Sequence, residues 1–70
     1  MEDIFEVYPN PVKKGEFILI CCKDIEQIQI INTSGQPVHY YRHGNKIRVY
    51  NPGTYIFIIN EKHKKRVIVN

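Results

Sequence analysis

The stretch Ile28-Gln29-Ile30-Ile31-Asn32-Thr33-Ser34-Gly35-Gln36-Pro37-Val38 decides how this chain is read. Ile28 and Ile30 fall on one side and Gln27 and Gln29 on the other, the two-residue period of a half-buried strand. Asn32-Thr33-Ser34-Gly35 then fits a type I turn, with asparagine at its first position and a left-handed glycine closing it at the fourth. Pro37–Tyr41 reads as the return strand. A strand, a tight turn and a strand back make a β-protein.

Upstream, Ile4–Tyr8 reads as a first strand, stopped by Pro9-Asn10-Pro11, where proline cannot donate to a ladder and holds Asn10 extended. Lys13-Lys14-Gly15 turns the chain into Glu16–Cys22, apolar on both faces and therefore central, and Lys23-Asp24 breaks it before Glu26–Asn32. Downstream, His43-Gly44-Asn45 turns into Lys46–Tyr50, where Ile47 and Val49 alternate with Lys46 and Arg48. Asn51-Pro52-Gly53 is a tight corner, Thr54–Asn60 is the most hydrophobic strand, and Glu61-Lys62-His63 leads into a last strand, Lys64–Val69. No segment carries a helical stripe.

These short strands, about seven in number, predict an all-β fold, a small antiparallel sandwich or barrel in one domain covering residues 1–70. Neighbouring strands joined by short loops are expected mostly to pair with one another. The core is expected to hold Ile28, Ile30, Val38, Ile47, Val49, Tyr55 and Phe57.

The composition agrees. Hydrophobic residues make up 43% and charged residues 24%, and isoleucine, valine and tyrosine are plentiful while alanine is missing. A chain of 70 residues hides only ~60% of the surface its unfolded form exposes, so the core is thin. A net charge of +3 suits an anionic partner or simple solubility. No basic region followed by an apolar run opens the chain, and its longest apolar run, Phe17–Cys22, is too short to span a membrane as a helix. Two readings follow: a protein kept inside the cell, or a segment of a longer exported chain.

Little in the sequence points to catalysis. His39, His43 and His63 have no carboxylate spaced to orient them, and no serine sits on a nucleophile elbow. Gly15, Gly35, Gly44 and Gly53 are isolated turn glycines and form no phosphate loop. Cys21 and Cys22 are adjacent, point to opposite faces of a strand and are expected to stay unpaired; they offer no zinc spacing. No catalytic residue, cofactor or metal is expected. Tyr40, Tyr41 and Tyr50 lie near Arg42, Lys46 and Arg48, which leaves base stacking as a weak alternative, with nucleic acid unlikely as a partner. His63-Lys64-Lys65-Arg66 is the strongest charge feature, either a solvated hairpin guarding an edge strand or a handle for an acidic partner or an anionic envelope.

Four motifs resemble the C-terminal sorting domains of the type IX secretion system. Val7-Tyr8-Pro9-Asn10-Pro11 resembles the family's YPNP opening. Ile28 to Val38 resembles its apolar strand, turn glycine and following valine, here Gly35 and Val38. Pro52-Gly53-Thr54-Tyr55-Ile56-Phe57 resembles its glycine-tyrosine corner, and Lys64-Lys65-Arg66-Val67-Ile68-Val69 its basic last strand. Tyr50 departs from the leucine that usually precedes the corner.

The resemblance implies an immunoglobulin-like β-sandwich ending a larger secreted protein. It implies recognition by an outer-membrane translocon, and removal by a sortase-like peptidase that joins the cargo to lipopolysaccharide. The implied recognition residues are Tyr8, Pro9, Asn10, Pro11, Gly35, Pro52, Gly53, Tyr55, Lys64, Lys65 and Arg66, and the implied destination is the outer-membrane surface or the medium. An N-terminal cargo domain would then precede residue 1. The alternative is a small structural or adhesive sandwich with no export role.

Overall fold

Among the described residues there are seven strands, β1 (Glu6–Tyr8), β2 (Ile18–Cys21), β3 (Ile28–Asn32), β4 (Tyr40–His43), β5 (Lys46–Val49), β6 (Gly53–Ile59) and β7 (His63–Val69), and all but β4 place buried side chains in alternation with more exposed ones. The computed structural model describes residues 5–21 and 25–70. Ile4, Cys22, Lys23 and Asp24, which enter the expected strand bounds and break, lie outside them. Among the described residues there is no helix.

The strands form two antiparallel sheets, ordered β1-β2-β5-β4 and β3-β6-β7. With the strands lettered in chain order, this is the ABED and CFG arrangement of a constant-type immunoglobulin sandwich. The expectation that neighbours in sequence would mostly pair holds for β1–β2, β4–β5 and β6–β7, and fails for the other three connections. At each failure the chain crosses from one sheet to the other. A sandwich needs such crossings, because each sheet hides its apolar face only against the opposite one.

One crossing corrects the return strand expected at Pro37–Tyr41. Val38 N–H donates to Ile30 C=O at 3.0 Å, and Asn32 N–H donates to Gln36 C=O at 2.9 Å. Pro37 stands opposite Ile31, between those bonds, where the N–H it lacks has no partner to meet. The chain then leaves this sheet, and Tyr40–His43 pairs with β5 in the other. Pro37 and Val38 therefore belong to one sheet and Tyr40 and Tyr41 to the other. Nothing in the local alternation marks the change.

Between the sheets lie Phe5, Val7, Val12, Ile18, Ile20, Ile28, Ile30, Ile47, Val49, Tyr55, Phe57, Ile59, Val67 and Val69, all buried. Fully hiding a side chain of this size contributes about 1.5–3 kcal/mol, and this layer offsets the ordering of a short chain. Six of the seven expected core residues are in it. Val38 is half-buried instead, packed on the rim where the chain crosses between sheets. β2 is an interior strand, as its two apolar faces predict, and β6, the most hydrophobic strand, is the interior strand of the other sheet.

The turns follow their residues. Gly35 takes φ +84° and its N–H donates to Asn32 C=O at 3.0 Å, while Asn32 Oδ1 accepts from the N–H groups of Ser34 and Gln36 at 2.9 and 3.0 Å. The turn is thus held by both the backbone and the side chain of Asn32.

Candidate recognition surface

At one end of the three-stranded sheet, Val69 pairs with Gly53 of β6 on one side and bridges Val12 in parallel on the other. Two rungs along, Asn32 at the end of β3 is opposite Tyr55, which is opposite Val67. The proline opening, the Gly35 turn, the Gly53 corner and the end of β7 therefore meet at this end, although they lie far apart in sequence.

Asn10 makes the longest-range of these contacts. Its Nδ2 donates to Arg66 C=O at 2.9 Å, and its Oδ1 accepts from Ile68 N–H at 3.0 Å. A carboxamide carries one donor group and one acceptor, as a peptide does, so Asn10 binds the outer edge of β7 as a neighbouring strand would. Val12 continues the contact with its backbone. Its N–H donates to Ile68 C=O and its C=O accepts from Asn70 N–H, at 2.9 and 2.8 Å, and Lys14 N–H donates to Asn70 C=O at 2.9 Å. From Arg66 to Asn70 the chain therefore covers the outer edge of β7 itself, and that stretch is not open to strand addition. Sequence reasoning missed Val12, whose single apolar side chain between Pro11 and Lys13 gives no period to detect.

The Gly53 corner is built around Tyr55. The ring is buried, and its hydroxyl donates to Asn51 C=O at 2.7 Å, tying the start of β6 to the corner before it. This is the tyrosine corner of immunoglobulin-like sandwiches. Gly53 takes φ +152°, a conformation that side chains rarely adopt, and a Cβ there would stand 3.5 Å from the Tyr55 hydroxyl. Glycine lets the backbone bend closely over the ring.

The remaining expected recognition residues are divided. Tyr8, Pro9, Pro11 and Pro52 are exposed at or beside the proline opening and the corner. Both X–Pro bonds of the opening are cis. The basic run separates: Arg66 joins the cluster through its carbonyl, whereas Lys64 and Lys65 pair with Ile58 and Phe57 towards the far end of the sheet. Lys64 and Arg66 are exposed, and half-buried Lys65 holds its ammonium 6.0 Å from the Phe5 ring.

Elsewhere, the outer face of the four-stranded sheet carries Phe17 and Tyr41, with centroids 6.2 Å apart and the Arg48 guanidinium 4.3 Å from the Phe17 ring. Tyr40 does not join them; it turns inward and donates its hydroxyl to Ile28 C=O at 3.0 Å. The three-tyrosine stacking surface considered from the sequence is not assembled. His39 lies in the crossing segment, while His43 and His63 lie within strands, reversing their expected placement. Tyr8 shares a 3.3 Å hydrogen bond with the sulfur of exposed Cys21. That bond, and then the charge the thiol can acquire, raise the Tyr8 phenol above its ordinary value. Among the described residues no three histidine, cysteine or carboxylate side chains cluster as metal ligands.

A family model described as the secretion system C-terminal sorting domain matches residues 6–70. The chain belongs to this family. Its members are the C-terminal sorting signals of type IX secretion, so the sorting domain described here has a sorting-signal role directed towards the outer membrane or cell surface. The matched span begins at β1 and runs through all four motifs. No helix among the described residues is long and apolar enough to cross a membrane. No curated protein matches the chain, and no solved structure matches it.

Proposed function

We propose that this sorting domain is read as a folded object by the outer-membrane translocon of the type IX system, with a cargo protein ahead of it. The observation that carries the proposal is the meeting of the motifs around Val69. Asn10 and Tyr55 direct their polar side chains into the domain itself, onto β7 and Asn51. An extended peptide presenting the same motifs would offer a receptor different groups. What a receptor meets is the surface they build: Tyr8–Pro11, the Asn51–Gly53 corner and the end of β7. A sortase-like peptidase then removes the domain and joins the cargo to lipopolysaccharide. No group in this account performs chemistry within the domain.

The test is a reporter carrying a signal peptide and fused ahead of residue 1, expressed in a bacterium with a type IX system and in the same strain lacking the translocon. Surface delivery in the first and periplasmic retention in the second are expected. Retention in both strains would favour a plain structural module, and delivery in both would remove the translocon from the account.

A further inference from the structure

A sandwich of two open sheets has four edges, and this chain closes two of them. Along β3, Val38 and Gln36 bond Ile30 and Asn32 through their backbones, and Tyr40 bonds Ile28 C=O through its hydroxyl. Along β7, Asn10, Val12 and Lys14 cover Arg66 to Asn70. A third edge, β1, is three residues long. Its end residues pair inward with β2, so by alternation only Val7 turns its peptide groups outward. Closing or shortening an edge is how sheets avoid unwanted partners.

β4 is different. The two-residue loop Gly44-Asn45 makes His43 and Lys46 the hydrogen-bonded pair that ends the hairpin, and the bonding repeats at Tyr41 and Arg48. From the other side of β5, Ile20 N–H donates to Asn45 C=O at 2.9 Å, which sets the same alternation independently. Tyr40 and Arg42 therefore direct their N–H and C=O groups away from the sheet, and among the described residues no backbone hydrogen bond reaches them. Arg42 curls along its own hairpin, its Nε donating to Gly44 C=O at 2.9 Å.

Charge identifies the occupant. No aspartate or glutamate occurs between Glu26 and Glu61. The β4–β5 hairpin carries Arg42, His43, Lys46 and Arg48, with His39 just before it, and Arg42 alternates with Tyr41 and His43 so that basic groups flank both faces of the edge. Two copies of such an edge repel, which argues against self-pairing.

We propose that the β4 edge, Tyr40–His43, receives an extended acidic segment of a partner protein by strand addition. Backbone bonds to Tyr40 and Arg42 would supply the attachment, and the surrounding cations the selectivity. The inference rests on the sorting reading for the identity of the partner, a component of the export machinery.

The probe is a ten-residue peptide of alternating threonine and glutamate. Its controls are the threonine–lysine counterpart and a version N-methylated on the amides of one edge. Added to the isotopically labelled domain, the acidic peptide should shift the amide signals of Tyr40 and Arg42. Its affinity should exceed that of both controls by about tenfold or more and fall as salt rises, because exposed charges are screened. Arg42→Pro removes an N–H that the fold does not use and should abolish binding. Should that variant fail to fold, Arg42→Glu, which keeps the backbone, should weaken binding by a similar factor. Shifts centred on β7 or β2, or equal binding by the N-methylated peptide, would overturn the proposal. In cells, normal surface delivery of an Arg42→Glu fusion would overturn it while leaving the sorting reading intact. Failure of the unaltered fusion would sink the sorting reading and leave the peptide measurement to decide the edge alone.

Discussion

Asn10 accepts a hydrogen bond from the backbone N–H of Ile68 at 3.0 Å, across 58 positions of sequence. The same carboxamide donates to Arg66, so a side chain near the start of the domain occupies a place that a strand would otherwise take. Asn10→Ala should cost about 1–3 kcal/mol, because two backbone groups on β7 lose their partner at once. Asn10→Asp should be at least as damaging, since a carboxylate sets a second acceptor against Arg66 C=O. Urea denaturation of the three proteins checks this order; an aspartate variant as stable as the parent would contradict it.

At the Gly53 corner the geometry separates two contributions. Tyr55→Phe should cost about 1–2 kcal/mol by leaving Asn51 C=O without its donor. Gly53→Ala should cost about 1–3 kcal/mol through the backbone, because a Cβ 3.5 Å from the Tyr55 hydroxyl and 3.6 Å from its ring is in ordinary contact. The double variant should therefore lose close to the sum of the two. A strongly non-additive result would show that the methyl pushes the ring away.

Gly35 offers the cleaner backbone test, because a Cβ there meets nothing within 4 Å. Gly35→Val should cost roughly 1–2 kcal/mol from left-handed strain, and Gly35→Asn much less, since asparagine tolerates that region. Equal losses, measured by thermal unfolding, would show that the turn is not set by φ.

Much of this fold is legible in the sequence because its signals are local. The alternation of Ile28 with Ile30, the asparagine and glycine of the Asn32–Gly35 turn, and the apolar run through Phe57 each report their own neighbourhood. The pairing of β2 with β5 and of β3 with β6 does not show, because hydrogen bonding between distant strands leaves no mark in either. The same holds for the site. The motif residues Asn10, Gly53 and Tyr55 stand out one by one, but that Asn10 and Val12 close the edge of β7 depends on a fold that brings residues 10–14 beside residues 66–70. The crossing at His39 was hidden for a related reason: Val38 and Tyr40 continue one alternation while serving two sheets.

Cys21 is exposed, and its sulfur touches the Tyr8 hydroxyl, so it should react with a thiol reagent in the folded state. Under non-reducing conditions the monomer should show no mass loss of two hydrogens. Cys21→Ala should bring the Tyr8 phenol back towards its ordinary value of 10.0, followed by its ring signals through an alkaline titration. The folded-state value is the raised one. The contact therefore contributes fully below the ordinary phenol value and is lost as pH rises through the shifted one. The stability that the contact gives the parent over Cys21→Ala at neutral pH should consequently be lost in strong alkali.

Export should require the folded end of the sandwich around Val69, and delivery of a fused reporter to the cell surface measures that requirement. The intact domain is compared with one lacking residues 67–70 and with one carrying Lys64→Glu and Arg66→Glu. Removing Val67 and Val69 takes two buried side chains from the core and should destabilise the domain by several kcal/mol, at about 2–4 kcal/mol for each buried aliphatic lost. Reversing the exposed charges should change stability by only ~0–1 kcal/mol, so any loss of delivery there reports recognition and not unfolding. Surface delivery is expected with the intact domain and periplasmic retention with the truncated one. Normal surface delivery of the truncated fusion would contradict it.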